Sequence, residues 1–209
     1  MTLSVVTLPG DGVGPEVTAQ ATRVLQAISE LLNLSIEIHE ALIGGAALDS
    51  VGNPLPAQTL EYCRSANAIF LGAVGGPKWA NSKVELRPEQ GLLWLRKALG
   101  LFANLRPIKI HPALMDTSVL RPELLKGVDI LMVRELTGGL YFGKRGRSAS
   151  HAFDTCEYSV REIERISRLA GNLAKTRRGK VTSVDKANVL DTSRLWRDTV
   201  NQVFAAEFA

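Results

Sequence analysis

"LSVVTLPGDGVGPEVTAQATRVLQAISELL", residues 3–32, opens on an apolar run, breaks at glycines and proline, and resumes with apolar residues at helical spacing. The run reads as a buried strand and the glycines as a turn. Val17, Ala21, Val24, Leu25, Ile28 and Leu32 then mark the inward face of a long helix, with Pro15 in the first turn where proline is tolerated. "SIEIHEA" (35–41) alternates as a second strand, a helix spans Ala57 to Ser65, and "NAIFLGAVGGP" (67–77) is a short apolar strand ending in glycines and proline. Strand, helix, strand, helix, strand in this order requires crossover connections, which predicts an α/β fold with a mostly parallel sheet covered by helices.

Further along, "PEQGLLWLRKALGLFANLRP" (88–107) reads as an amphipathic helix running into a strand. After Leu101 the texture changes. "LFANLRPIKI" and "VDILMVREL" are strand-like and separated by a proline-containing loop, and "GGLYFGKRGRSASHAFDTCEYS" is turn-rich with short strand candidates. Residues 160–176 form a charged amphipathic helix with Ile163, Ile166, Leu169, Ala170 and Leu173 inside, "KVTSVDKANVL" (180–190) follows as strand and turn, and a last helix runs from Ser193 to Phe208. Two domains are expected, residues 1–100 and 101–209.

Composition excludes several classes. Of 209 residues 45% are apolar and 22% charged, as in a globular protein, which rules out a disordered chain. The net charge of +4 is spread along the chain apart from "KRGR" (144–147) and "KTRRGK" (175–180). The second run falls at a helix C-terminus, where cations complement the macrodipole, so small anionic ligands suit the chain better than nucleic acid. With no apolar run of membrane-spanning length and no signal-like N-terminus, no membrane association is expected. Cys63 and Cys156 stand far apart without a metal or redox motif, as in a reduced, cytoplasmic protein.

Four features could carry chemistry. "GDGVGPE" (10–16) joins a strand to a helix but lacks the GxGxxG spacing, and reads as a tight turn rather than a dinucleotide fingerprint. "GAVGGPKW" (72–79) lies at the C-terminal end of a parallel strand, the edge where open α/β sheets bind ligands, and is either a turn or part of a site. Glu89, Leu92, Leu93 and Arg96 share one stripe of their helix. Arginine grips a carboxylate with two parallel hydrogen bonds and two leucines can bury an alkyl group, so the stripe is either a core face with charged rims or a wall for a small acid with an oily tail. Arg106, Arg134, Tyr141 and Lys186 lie at strand ends or in the loops after them. Clustered arginines suit a substrate with several carboxylates, and a tyrosine and a lysine can serve as acid and base. Taken singly, each also has a purely structural reading. His39, His111 and His151 have no partner at metal-ligand spacing.

Taken together, "LPGDGVGPEV", "LGAVGGPKW", "RPEQGLLWLRKALGLFANLRPIK", "VDILMVRELTGGLYFGKRGR" and "VTSVDKANVLDTSRLWR" resemble the isocitrate/isopropylmalate dehydrogenase family of decarboxylating β-hydroxyacid dehydrogenases, in order along the whole chain, and within it the isopropylmalate branch. The resemblance implies the two-domain fold of that family and NAD-dependent oxidative decarboxylation of (2R,3S)-3-isopropylmalate in leucine biosynthesis, assisted by Mg2+ or Mn2+. It implies that Arg96, Arg106 and Arg134 hold substrate carboxylates and that Leu92, Leu93 and Val189 receive the isopropyl group. Gly76, Pro77, Lys78, Trp79, Glu89 and Asn188 would face the NAD. Lys186 would be the base, supplied from the neighbouring subunit of a homodimer, and Tyr141 the acid that protonates the enol left by decarboxylation. The metal-binding aspartates of the family are expected beyond Ala209, so the chain reads as the N-terminal portion of such an enzyme, inactive alone. Relatives acting on isocitrate, homoisocitrate or tartrate, and a non-catalytic remnant, are the alternative readings.

Overall fold

The computed structural model of the protein describes residues 2–80 and 86–208. The chain divides into two units, Met1–Leu99 and Gly100–Ala209. In the first, β1 (Leu3–Gly10) is the middle strand of a parallel sheet, flanked by β2 (Ile36–Glu40) and β3 (Ala68–Ala73). Val6 and Leu8 of β1 are sealed from solvent, as a central strand covered on its faces requires. Helices α1 (Gly14–Leu31), α2 (Gly44–Val51), α3 (Ala57–Ser65) and α4 (Pro88–Ala98) complete the unit. Val6, Leu8, Ile43, Leu55, Cys63 and Leu95 form its core, and burial pushes the Cys63 thiol pKa up.

Helix α1 turns differently from the expected arrangement. Its buried residues are Gly14 and Thr18, whereas Val17, Val24, Ile28 and Leu32, expected inside, are exposed. Close approach explains the difference. A Cβ on Gly14 would run into the Pro9 carbonyl, and one on Gly72 of β3 would lie 2.5 Å from Thr18 Oγ1. Small residues bring this helix against the sheet, and at Gly14 and Gly72 no side chain at all could be accommodated. Helix α2, which the periodicity did not reveal, has no capping side chain of its own.

Its cap comes from far away in the sequence. Asp11, in the turn after β1, is buried at 3% exposure. Its carboxylate accepts from the backbone N–H groups of Gly45 and Ala46 at 2.7 Å each, in the first turn of α2, and from Gly75 at 2.8 Å, just past β3. Gly10 and Gly12 take positive φ to make the turn that delivers it, and a Cβ on Gly10 would collide with the Ala73 carbonyl. The "GDGVGPE" segment is thus a tight turn whose acid ties three elements together.

In the second unit pairing is antiparallel. β4 (Ala103–Lys109) pairs with β5 (Asp129–Glu135), the short helix α5 (Pro122–Leu125) lies in their connection, and β6 (Arg145–Arg147) forms a hairpin with β7 (Ala152–Asp154). Helix α6 (Val160–Lys175) packs against β5 and against α7 (Asp191–Glu207), burying Ile163, Ile166, Val200 and Val203. Ser159 and Glu162 close a capping box at the start of α6. At its other end Arg177 and Arg178 of the "KTRRGK" run both donate to Asp129, and the Arg177 guanidinium holds the Asp129 carboxyl below the usual aspartate range. The strand expected within residues 180–190 is absent: Val181 to Lys186 belong to no ladder, because no strand lies alongside to take their hydrogen bonds among the described residues.

Replacing Asp11 with Ala strands three N–H groups at once. Urea unfolding should show a loss of about 2–4 kcal/mol, with Asp11→Asn, which keeps one acceptor oxygen, losing less.

Candidate functional site

The β4–β5 register brings together residues that sequence reading considered singly. Asn104 pairs with Arg134 and Arg106 with Met132, so Asn104, Arg106, Met132 and Arg134 share one face of the ladder. Arg106 and Arg134 are diagonal neighbours, roughly 7–8 Å apart in such a ladder and somewhat closer at Cβ. That face is open: along β5, Ile130, Met132 and Arg134 are exposed, while the alternate residues are half-buried or buried toward α6. Arg106 Nε donates to Asn104 Oδ1 at 2.8 Å, which orients one guanidinium. Arg134 Nη2 donates to the Tyr141 hydroxyl at 2.8 Å and its cation lies 5.3 Å from the centre of that ring. Two arginine forks with a phenol at their edge make a surface for a carboxylate-bearing ligand with a proton donor or acceptor beside it.

Tyr141 reaches this position through a constrained loop. On the opposite face of β5, the Glu135 carboxylate accepts from Thr137 N at 2.8 Å, Thr137 Oγ1 at 2.9 Å, Gly138 N at 2.7 Å and Arg165 Nη2 of α6 at 2.5 Å. The backbone then runs beneath the Tyr158 ring, where a Cβ at Gly138 would lie 2.9 Å from it. Gly139 takes φ +73° and donates to the Glu157 carbonyl at 2.7 Å. A single 3-10 turn, Gly139–Tyr141, ends at the phenol.

In the first unit, α4 separates its core face from the stripe singled out in the sequence. Its buried residues are Pro88, Gly91 and Leu95. A stripe one residue further along the helix, rotated by about 100°, carries Glu89, Leu92, Leu93 and Arg96. Leu92, Leu93 and Arg96 are half-buried and Glu89 is exposed, and neither leucine joins the core.

The segment after β3 is presented by α2. Gly75, at φ +100°, sits where a Cβ would run into the Glu89 carboxylate, so bare backbone and the acid of α4 meet at the strand's C-terminal end. Pro77–Trp79 form a 3-10 turn. Asp49 of α2 accepts from Lys78 Nζ at 2.5 Å and Trp79 Nε1 at 3.2 Å, and the Trp79 ring covers Gly45, where a Cβ would lie 2.6 Å from Cδ2. Hydrogen bonds from Lys78 and Trp79 lower the Asp49 pKa.

Lys186, Asn188 and Val189 occupy an outward turn. All three are exposed, while Ala187 between them is buried. The Lys186 carbonyl accepts from Val189 N and Leu190 N, Arg194 Nε donates to the Ala187 carbonyl, and Asp185 binds both Ala187 N and Arg197. The Arg197 guanidinium and then the Ala187 amide depress the Asp185 pKa. The turn is held from within, and its three functional candidates face away from their own unit.

Sequence reading missed Asp11, Asp49, Asn104 and Glu135, which touch the candidate residues or their loops. Asn104 alone had a usable signal, since strand alternation puts it on the face of Arg106. Among the described residues no three His, Cys, Asp or Glu side chains cluster as metal ligands, and no helix is long and apolar enough to cross a membrane.

The Asp49 bonds make a pH-dependent reporter. A folded-state pKa below the unfolded one contributes stability that is present above the unfolded value and is lost as pH falls through the folded value. Trp79 fluorescence, read with Trp94 and Trp196 replaced by Phe, should therefore stay constant from neutrality down through the ordinary aspartate range and change only below it. In Asp49→Ala the signal should already be altered at neutral pH.

The chain has counterparts among known proteins. The family model described as isocitrate/isopropylmalate dehydrogenase matches residues 4–209. The 3-isopropylmalate dehydrogenase of Anaeromyxobacter dehalogenans is 53% identical over 208 residues, covering 97% of this chain and 59% of that protein. That of Bacillus subtilis is 53% identical over 207 residues, covering 96% and 56%. Among solved structures, an isocitrate dehydrogenase from Methylococcus capsulatus superposes with a TM-score of 0.79 at 29% identity, over 99% of this chain and 57% of that one. A β-decarboxylating dehydrogenase from Thermococcus kodakarensis gives 0.70 at 33%, over 98% and 55%. The chain spans less than three fifths of the length of these curated relatives, and it belongs to the isocitrate/isopropylmalate dehydrogenase family.

Proposed function

We propose that the chain supplies the organic-substrate half, and part of the NAD site, of an enzyme that oxidises and decarboxylates (2R,3S)-3-isopropylmalate to 4-methyl-2-oxopentanoate and CO2 in leucine biosynthesis. The full activity belongs to a protein of the relatives' whole length. The observation that carries this reading is the β4–β5 face, where Arg106 and Arg134 stand together and Arg134 holds the Tyr141 hydroxyl at 2.8 Å. Sequence identity of 53% to two 3-isopropylmalate dehydrogenases supports the substrate.

Each residue then has a task. Arg96, Arg106 and Arg134 bind the carboxylates, while Leu92 and Leu93 on α4 and Val189 on the outward turn take the isopropyl group. Burying isocitrate's extra carboxylate against leucines would leave it unsatisfied, and this favours the alkyl acid. Lys186 removes the hydroxyl proton as hydride leaves the carbon that bears the hydroxyl, so that a ketone forms there. Tyr141 donates a proton to the carbon from which CO2 departs. The outward placement of Lys186 and Asn188 suits donation to a neighbouring subunit, hence a homodimer. A first, cofactor-side domain of residues 1–100 and a second, substrate and dimerisation domain of residues 101–209 complete the reading.

The cofactors differ in fit. At the end of β3, bare backbone at Gly75, the Glu89 carboxylate and the braced Gly76–Trp79 turn suit close approach of a planar nicotinamide. NAD, when bound, accepts the hydride. For Mg2+ or Mn2+ the described residues offer no ligand cluster.

Joining this chain to the remaining part of the A. dehalogenans enzyme and following NADH absorbance tests the reading. Expected are turnover with isopropylmalate at a kcat/KM above that for isocitrate, homoisocitrate and tartrate, and none from the 209 residues alone. In the joined enzyme Tyr141→Phe should lower kcat about 100-fold, and Leu93→Ala should raise KM about tenfold. A preference for isocitrate, or appreciable turnover by the short chain, would overturn it.

A further inference from the structure

We propose that Glu135 is a positioning residue for the reaction. From the buried face of β5 it sets where the Tyr141 phenol stands against Arg134 on the open face. The inference rests on the role proposed above for Tyr141.

Glu135 and Arg134 are consecutive, so their side chains leave the strand on opposite faces. The Glu135 side chain is 1% exposed and accepts from four donors, two of them the N–H groups of Thr137 and Gly138. Those two bonds fold the backbone sharply as it leaves the strand. Arg165 holds the carboxylate from α6, donates also to Thr137 Oγ1, and lies over the Phe102 ring at 4.7 Å. The acid is therefore tied to the helix as well as to the loop it shapes. Two residues on, the Gly139–Glu157 bond and the Tyr158 ring hold the next stretch of backbone. Between Glu135 and Tyr141 little torsional freedom is left, and the phenol is delivered back onto the residue that precedes Glu135.

Satisfying the Thr137 and Gly138 N–H groups stabilises the loop, while a buried ion pair is roughly matched in stability by well-packed apolar side chains, so we assign the Arg165 contact to defining the geometry of that loop. An acid–base group displaced by even an ångström loses most of its advantage.

The test is a double-mutant cycle in the joined enzyme. Glu135→Gln should lower kcat about tenfold with KM for the acid nearly unchanged. In a Tyr141→Phe background the same change should cost less than about twofold, because the group it positions is already gone. Losses that simply multiply would show a merely structural role and overturn the proposal. Should Glu135→Gln not fold, Thr137→Val serves in its place: it removes the hydroxyl bonded to both Glu135 and Arg165, and should lower kcat where Thr137→Ser does not. Equal loss in both would overturn the proposal. Placement is also read without catalysis, from the 19F resonance of 3-fluorotyrosine at position 141, which Glu135→Gln should shift. An unmoved resonance would overturn the proposal whatever acid the enzyme prefers, whereas a shifted one beside no turnover of isopropylmalate would remove the proposed function and leave the positioning role in place.

Discussion

One buried carboxylate organises the first unit. Asp11 accepts three backbone N–H groups contributed by α2 and by the end of β3, and it is placed to do so by a turn that only glycines allow. A carboxylate at a helix N-terminus satisfies donors that the helix cannot satisfy itself and complements the positive end of its dipole. Here the acid belongs to another element, so capping α2 and docking it become one event. The bond to Gly75 extends that event to the strand end where the candidate nicotinamide segment begins. Further along α2, Asp49 holds Lys78 and Trp79, so the segment is held at its start by Asp11 and at its far end by the helix that Asp11 caps.

That dependence explains what was and was not legible in the sequence. The strands and the long helices were, since their apolar periods are local properties. Helix α2 was not: "GGAALDSV" opens with two glycines, and its cap lies 34 residues away from Gly45. The face that α1 buries was misread because apolar residues cover more of its circumference than the sheet contacts, and the decisive side chains are small. Residues 180–186 have the composition of a strand, but a strand exists only with a partner.

The candidate site divides in the same way. Arginines, tyrosine and lysine could be named from residue type, and the family resemblance assigned them tasks. The grouping of Arg106, Arg134 and Tyr141 could not be read, because it depends on the register in which β4 pairs with β5. Register makes diagonal neighbours of Arg106 and Arg134, and register puts Asn104 between them. The stripe on α4 was ambiguous for a different reason: a helix has room for two adjoining faces, and only tertiary contacts tell which one the core takes.

The alternation along β5 has a consequence for how this strand can change over evolutionary time. Its odd-numbered residues, Asp129 to Glu135, serve the side toward α6, and the even-numbered ones serve the open face. Losing a single codon inside the strand would exchange the two sides, turning a guanidinium into the interior and a carboxylate onto the open face, with opposite charge on each. Substitutions can be absorbed there one at a time; a one-residue deletion cannot. Length variation between relatives is therefore expected to fall in the connection between β4 and β5 and in the β6–β7 hairpin, never within the strand itself.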